Sequence, residues 1–115
     1  GLRPSASAAA IIALIRRAEA LSGLRVNRLA APAFRRGLPA LTEAATALGV
    51  ELVFLDQDAL LAVQDRCPTQ SEAALRATGI ASVAEGCALA MGGTLVLPRI
   101  TAEGVACALS AGTTV

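Results

Sequence analysis

The chain has 115 residues and a net charge of +1, and 55% of its residues are hydrophobic although only 2% are aromatic. This length fits a single domain with one core packed from small side chains. Histidine and lysine are both absent, which excludes Ser-His-Asp and Cys-His catalysis, imidazole metal ligands, Schiff-base lysines and the lysine of a P-loop.

Hydrophobic residues recur at helical and strand spacings that alternate along the chain, and glycines and prolines separate the segments. In chain order the pattern predicts a helix over 8–21, a strand over 24–30, a helix over 39–48, a strand over 52–55, helices over 57–63, 71–76 and 82–91, and strands over 94–97 and 105–109. Ser5 and Ser7 are both possible N-caps of the first helix. The continuous apolar run at 52–55 suits a strand buried on both faces.

This alternation predicts an α/β fold, namely a three-layer α/β/α sandwich with a mixed, mostly parallel sheet and an antiparallel pair at its C-terminal edge. We treat 1–115 as one domain. Its first five residues, Gly-Leu-Arg-Pro-Ser, have the character of a loop that follows a strand. We therefore expect a first, central strand to precede residue 1.

The longest strongly apolar run, 8–15, is shorter than the roughly 18 residues that a membrane span needs. No basic segment followed by an apolar one opens the chain. These features predict a cytoplasmic protein without a membrane partner. Cys67, Cys87 and Cys107 are odd in number and far apart, so we interpret them as apolar packing residues rather than as a disulfide or zinc framework.

Charge is distributed unevenly, because residues 1–36 carry +6 and residues 37–115 carry −5. A basic N-terminal segment is typical of a protein with an anionic partner, although the alternative for Arg16 and Arg17 is that they lie on a solvated helix face. Nucleic acid is not expected, since no aromatic side chains accompany the arginines. Dinucleotide-binding and Walker motifs are absent and no carboxylate cluster has metal-ligand spacing, so we expect neither a cofactor nor a metal.

Ser82 and Glu85 have the spacing of a capping box at the start of a helix. In that motif the Ser82 hydroxyl accepts from the Glu85 amide, and the Glu85 carboxylate accepts from the Ser82 amide. The same residues could instead hold a ligand at the positive end of the helix. The sequence leaves both roles open.

Polar residues gather at the predicted helix starts and strand ends. Loops after strand carboxyl ends share one edge of an open α/β sheet, where ligands usually bind. Such an edge suits a substrate with several carboxylates, although ordinary capping and surface charge explain each residue alone. The candidates are Arg3, Ser5, Ser7, Arg35, Arg36, Thr69, Ser71, Ser82 and Glu85.

The chain resembles the cobalamin-biosynthesis family that comprises CobE and the C-terminal domain of the cobalt-precorrin-5A hydrolase CbiG. The resemblance rests on segments spread over nearly the whole chain, and the run Gly-Ile-Ala-Ser-Val-Ala-Glu at 79–85 is the most specific. The segments lie at 1–5, 29–35, 48–50, 53–55, 69–71, 78–85, 88–90, 95–99 and 105–109. The family usually has lysine at the position of Arg35 and often glutamate near Leu38, and both departures favour binding over catalysis.

The resemblance implies a role in corrin-ring construction, within porphyrin metabolism. It suggests a tetrapyrrole-binding protein of the aerobic route that binds a polycarboxylate corrin or precorrin intermediate. Arg3, Ser5, Arg35, Thr69, Ser71, Ser82 and Glu85 would form the site. Two alternatives remain open: a hydrolase or other enzyme that acts on a precorrin with Glu85 as general base, and a non-catalytic partner of other cobalamin-pathway enzymes.

Overall fold

The structure is a computed structural model that describes residues 2–112. Helices and strands alternate along most of the chain, as the sequence pattern predicts. In order they are α1 (Ala8–Ser22), β1 (Arg28–Pro32), α2 (Pro39–Leu48), β2 (Glu51–Leu55), α3 (Gln57–Leu61), α4 (Glu72–Thr78), α5 (Val83–Ala90), β3 (Thr94–Ala102) and β4 (Val105–Ala111). Short 3-10 turns cover Ala33–Arg35 and Gln64–Arg66.

Local capping chemistry fixes most helix starts. Ser7, rather than Ser5, caps α1, because its Oγ accepts from the Ala10 amide at 3.1 Å. Asp56 accepts from the Ala59 amide at 2.8 Å at the start of α3. Ser71 does the same for α4, accepting from the amide of Ala74 at 3.2 Å. Each side chain satisfies an amide that has no partner within its own helix.

The strands form one parallel and one antiparallel pair. β1 pairs in parallel with β2, and β3 pairs in antiparallel with β4. The predicted α/β class, with its parallel strands and antiparallel C-terminal pair, is therefore confirmed. Within residues 2–112 the two pairs are separate two-stranded sheets rather than parts of one hydrogen-bonded sheet.

The start of β1 and the end of β3 differ most from the sequence prediction, and both for identifiable reasons. β1 begins at Arg28 rather than 24, since the Val26 amide donates to the Glu19 carboxylate at 2.8 Å and so holds that segment to α1. β3 continues past Pro98 to Ala102, and the register shifts between Leu97 and Ile100. Such an irregularity accommodates a proline that cannot donate to the ladder.

Helices cover both faces of the strands, which gives the three layers predicted. Along β1, Leu29 and Ala31 belong to a core with α1 and α2, whereas Ala30 packs against a cluster formed by Leu60, Ile80 and Cys87. Alternate residues of a strand point to opposite faces, so the two helical layers lie on opposite sides of β1. The prediction that β2 is buried on both faces is wrong, because its residues are half-buried or exposed and, among the described strands, it pairs with β1 alone.

The three cysteines are unbonded thiols, as predicted. Cys67 and Cys87 are buried and Cys107 is half-buried. Burial raises the pKa of Cys87 and of Cys107 to about 11, so both thiols are protonated at neutral pH. Among the described helices, none is long and apolar enough to cross a membrane.

Candidate functional site

A pocket of about 470 Å³ lies where the N-terminal segment, the starts of α4 and α5, and the turn between β3 and β4 meet. We call it the hairpin pocket. Its volume is within the range of small-molecule sites. Its polar lining residues are Arg3, Thr69, Ser71, Ser82, Arg99, Thr101 and Glu103.

The structure brings together four of the seven predicted site residues as lining of the hairpin pocket: Arg3, Thr69, Ser71 and Ser82. Glu85 lies beneath that lining, fully buried and hydrogen-bonded to two of these residues. Ser5 and Arg35 are not among the lining residues. Ser5 is exposed.

Arg35 is engaged with the backbone and with a neighbouring ring. Its Nε donates to the carbonyl of Leu2 at 3.1 Å, and its guanidinium carbon lies 5.1 Å from the centre of the Phe34 ring. Arg36 stacks in the same way on Phe54, at 5.2 Å. Both arginines therefore pack on aromatic side chains, and Arg35 also helps to fix the backbone next to Arg3.

The Glu85 carboxylate is the most densely bonded polar group of the site. Oε1 accepts from the Thr69 amide at 2.8 Å and from the Ser82 hydroxyl at 2.9 Å. Oε2 accepts from the Thr69 hydroxyl at 2.9 Å and from the Arg99 amide at 3.0 Å. We call these four groups and the carboxylate the Glu85 cluster. It joins α5 to the loop before α4 and to β3.

The hydrogen bonds determine the charge state of Glu85. Burial alone would raise the pKa of this carboxyl, but the hydrogen bonds donated by Arg99, Thr69 and Ser82 outweigh burial and lower its pKa below the ordinary value. The group is therefore a carboxylate at neutral pH. It is held without solvent contact in the folded chain.

The predicted capping box is wrong. Ser82 is the N-cap of α5, but no side chain caps the helix within the described residues. The Ser82 hydroxyl donates to Glu85 instead of accepting from its amide, and the Ser82 amide donates to Gln64 Oε1 at 2.9 Å. Long-range donors from Thr69 and Arg99 also bind the Glu85 carboxylate, and it does not accept from the Ser82 amide that its spacing predicts as its partner.

This departure leaves the start of α5 available to a ligand. The first amides of a helix have no acceptor within the helix and carry partial positive charge. Val83 and Ala84, the first two residues of α5, line the hairpin pocket. An anion in the pocket can accept from amides that a capping side chain would otherwise occupy.

Arg3 is anchored through its backbone while its side chain remains exposed. Its amide donates to the carbonyl of Gly104 at 2.8 Å. Its side chain lies over Gly104, where an added Cβ would be 3.3 Å from Arg3 Cδ. Within residues 2–112, Arg3 takes part in no ion pair.

Arg99 is a site residue that the sequence prediction missed. It lies in β3, lines the hairpin pocket and has an exposed side chain, while its amide belongs to the Glu85 cluster. Its position within 95–99 of the family resemblance was a usable signal. The strand was expected to end at 97, which placed Arg99 in a connection instead of on the pocket wall.

Gln64 was also missed, and no motif in the sequence marks it. Its Nε2 donates to the carbonyls of Leu60 at 2.9 Å and Ser82 at 3.0 Å, while its Oε1 accepts from the Ser82 amide. Gly86 makes room for this side chain, because a Cβ at that position would lie 2.8 Å from Gln64 Nε2. Gln64 therefore holds the backbone of Ser82, while Glu85 holds its hydroxyl.

Comparison with known proteins gives a consistent result over nearly the whole chain. A family model described as cobalamin synthesis G C-terminus matches residues 1–110. The chain is similar to CobE, a protein from the cobalamin (vitamin B12) biosynthetic pathway, with a TM-score of 0.86 and 31% identity over 94% of this chain and 83% of that chain. It is also similar to the cobalamin biosynthesis protein chiG from Agrobacterium tumefaciens, with a TM-score of 0.77 and 37% identity over 99% of this chain and 95% of that chain. A search of curated proteins found no match.

Proposed function

The chain belongs to the family of the cobalamin synthesis G C-terminus, and we propose that it binds a polycarboxylate corrin-ring intermediate in the hairpin pocket. Family membership gives it a role in cobalamin biosynthesis. The finer proposal is that the ligand is a late intermediate of the aerobic route, such as hydrogenobyrinic acid or a precorrin, and that binding takes place in the cytoplasm.

The observation that carries this proposal is the pairing of two exposed arginines with an uncapped helix start around one pocket. Arg3 and Arg99 line the hairpin pocket, and neither forms an ion pair within the described residues. Arginine binds carboxylates through paired, charge-assisted hydrogen bonds. The first amides of α5 offer further donors. A ligand that carries several carboxylates along one edge can bind Arg3, Arg99 and the first amides of α5 at the same time.

The opposing charges in the pocket limit which anion it favours. Glu103 is exposed on the same wall, and the Glu85 carboxylate lies beneath the floor. A compact polyanion would meet these carboxylates as well as the arginines. A broad macrocycle that carries spaced carboxylates can reach Arg3, Arg99 and the start of α5 while its apolar ring covers Ala74, Ala81 and Val83.

The contacts of Glu85 favour binding over general-base catalysis. A general base must reach a substrate proton and benefits from a pKa near the working pH. Glu85 has no exposed surface, its two oxygens accept from four groups, and its pKa is lowered. We therefore propose Glu85 as the group that positions Thr69, Ser82 and Arg99 at the pocket.

A titration with hydrogenobyrinic acid, followed by its visible absorption, tests the proposal. The protein has neither tryptophan nor tyrosine, so the macrocycle supplies the signal. We expect a saturable spectral change at micromolar concentration. The fully methyl-esterified macrocycle should bind at least about tenfold more weakly, because charge-assisted hydrogen bonds contribute about 1.5–3 kcal/mol each.

Two results would contradict the proposal. One is the absence of any spectral change at high micromolar concentration with folded protein. The other is equal affinity for the acid and its methyl ester. Specific capture of another cobalamin-pathway enzyme by a chain that binds no macrocycle would instead support a non-catalytic partner.

A further inference from the structure

Glu103 is the acidic residue among the described residues that line the hairpin pocket, where the other charged side chains are those of Arg3 and Arg99. Its side chain is exposed, and it takes part in no ion pair within residues 2–112. Its carboxylate has no hydrogen-bond partner in that part of the chain either. The fold therefore leaves this carboxylate available to a ligand.

The backbone of Glu103 has a conformation that glutamate rarely adopts. Ala102 and Val105 form the last pair of the hairpin between β3 and β4, so Glu103 and Gly104 are the two residues of its turn. Both have a positive φ, of 49° and 79°. Two-residue turns of this kind favour Asn-Gly, Asp-Gly or Gly-Gly, because a larger side chain in the left-handed region costs free energy. The Glu103 side chain makes no bond that offsets this cost, and uncompensated local strain is typical of functional sites.

Glu103 also continues a row of polar side chains along β3. Arg99, Thr101 and Glu103 are spaced two residues apart, and all three are exposed and line the hairpin pocket. Alternate residues of a strand face the same side and are roughly 6–7 Å apart. The row thus passes from a cation through a hydroxyl to an anion over roughly 13 Å. We expect its two ends to contact different chemical groups of a ligand.

Arg3 lies beside the anionic end of this row but does not pair with Glu103. The Arg3 amide donates to the carbonyl of Gly104 at 2.8 Å, and the Arg3 side chain lies over Gly104. A ligand group that reaches this end therefore meets a donor and an acceptor together. A carboxamide satisfies both, because its oxygen accepts from a guanidinium and its N–H groups donate to a carboxylate. A carboxylate in the same place would be repelled by Glu103.

We propose that Glu103 is a specificity-determining residue of the hairpin pocket and accepts a hydrogen bond from a carboxamide of the ligand. The preferred ligand is then a partly amidated corrin macrocycle. Its carboxylates bind Arg99 and the start of α5, and a carboxamide lies between Glu103 and Arg3. This inference rests on the proposed function, since it concerns the same pocket and the same class of macrocycle, and it adds a preference among forms of that macrocycle.

Selection from a mixture of amidated macrocycles tests the proposal. Hydrogenobyrinic acid is partly amidated, so that the mixture contains the free acid together with its monoamide and diamide isomers. The protein is equilibrated with the mixture, the bound fraction is separated by ultrafiltration, and each form is quantified by liquid chromatography and mass spectrometry. The native chain should enrich at least one amidated isomer over the free acid by about fivefold or more, which corresponds to one net hydrogen bond.

Two glutamine variants separate the role of Glu103 from that of surface charge in general. Glu103→Gln keeps the size of the side chain and removes its charge. This variant should lower the enrichment by at least about threefold, because it no longer repels the free acid. Glu43→Gln, at an exposed position of α2 outside the pocket lining, is the matched control and should keep the native enrichment.

The turn provides a readout that does not depend on a ligand. Glu103→Gly relieves the positive φ, whereas Glu103→Gln keeps it. The thermal midpoint of Glu103→Gly should therefore exceed that of Glu103→Gln by about 2 °C or more, although both variants lose the selection. Equal midpoints in the two variants would overturn the strain at Glu103 on which the inference depends.

The selection experiment distinguishes failure of this inference from failure of the proposed function. Retention of the macrocycle without preference for any amidated form would overturn the role of Glu103 and leave binding in the hairpin pocket intact. Equal enrichment by the native chain and by Glu103→Gln would do the same. If the folded protein retains no form of the macrocycle, the proposed function itself is contradicted, and this inference falls with it.

Discussion

The backbone amide of Arg99 donates to Oε2 of Glu85 at 3.0 Å, and this hydrogen bond ties β3 to the start of α5. The same carboxylate holds both the amide and the hydroxyl of Thr69. A single buried charge therefore links three of the segments that carry polar residues of the hairpin pocket, namely the loop before α4, the start of α5 and β3. Glu85 is best understood as the group that assembles the pocket rather than as one that meets a ligand.

Replacement of this charge should destabilise the fold. Glu85→Gln places an amide group where four donors converge, so at least one buried donor loses its acceptor. We expect the free energy of unfolding to fall by about 2–4 kcal/mol in urea denaturation. Glu72→Gln is the matched control, since Glu72 is exposed and pairs with Arg76 at 3.6 Å. That change should cost less than about 1 kcal/mol, and equal losses in the two variants would contradict the role of Glu85.

The lowered pKa of Glu85 predicts a specific dependence of stability on pH. Because the folded pKa lies below the ordinary value of 4.5, the unfolded state binds the proton more readily. The stabilisation is therefore present above about pH 4.5 and is lost as the pH falls through the folded pKa. The difference in unfolding free energy between the native chain and Glu85→Gln should shrink between pH 5 and pH 3.

Comparing the native chain with Glu85→Gln removes the contribution that Glu19 makes to the pH dependence of stability. The pKa of Glu19 is also lowered, chiefly by the hydrogen bond from the Val26 amide and by Arg16, and Glu19 is present in both chains. Its effect cancels in the difference. Parallel stability curves over this pH range would contradict the assignment of the lowered pKa to Glu85.

Gly86 and Gln64 should be strongly coupled. An alanine Cβ at 86 would press on Gln64 Nε2 and displace the hydrogen bonds that this side chain makes with Ser82. Alanine gains about 1 kcal/mol of helix propensity over glycine. We still expect Gly86→Ala to lower stability by about 1–2 kcal/mol, because overpacking and the lost hydrogen bonds outweigh that gain.

The sign should reverse when Gln64 is absent. In a Gln64→Ala background the obstacle at Gly86 is gone, so Gly86→Ala should stabilise the chain by up to about 1 kcal/mol. Denaturation of the four proteins of this cycle provides the test. A Gly86→Ala effect that is the same in both backgrounds would show that Gln64 does not limit the space at Gly86.

The buried thiols should react slowly. Burial raises the pKa of Cys87 from 9.0 to about 11, so its thiolate fraction falls by about a hundredfold relative to an ordinary thiol. Iodoacetamide at pH 8 should modify Cys87 at least about a hundredfold more slowly in the folded chain than in urea, as measured by mass spectrometry. Fast modification of Cys87 under native conditions would be inconsistent with its buried position in α5, in the cluster that packs against Ala30 of β1.

Local signals were sufficient for much of the fold. Asp56 and Ser71 mark the starts of α3 and α4 because each cap bonds an amide only three residues away. Strand limits were harder to predict, since β3 passes through Pro98 by a change of register with β4. A register depends on the partner strand and leaves no mark in the sequence of β3 alone.

The candidate site was predicted only in part for a related reason. Arg3, Thr69, Ser71 and Ser82 were recognised as pocket residues because they follow strands or open helices. The bonds of Glu85 to Thr69 and Arg99 span 16 and 14 residues. Those donors replace the short-range partners of a capping box, and sequence spacing cannot weigh the two sets against each other.

Arginine variants test most directly whether Arg3 and Arg99 bind the carboxylates of the macrocycle. Arg3→Gln and Arg99→Gln should each weaken the binding of hydrogenobyrinic acid by at least about tenfold, because each removes a charge-assisted hydrogen bond worth about 1.5–3 kcal/mol. Arg17→Gln, on the exposed face of α1, is the matched control and should change affinity by less than about twofold.

The decisive measurement is therefore the dissociation constant of hydrogenobyrinic acid for the native chain and these three variants, with far-ultraviolet circular dichroism to verify folding. The proposed function predicts that only Arg3→Gln and Arg99→Gln lose affinity. Native-like affinity in both of these variants, or an equal loss in Arg17→Gln, would contradict binding in the hairpin pocket.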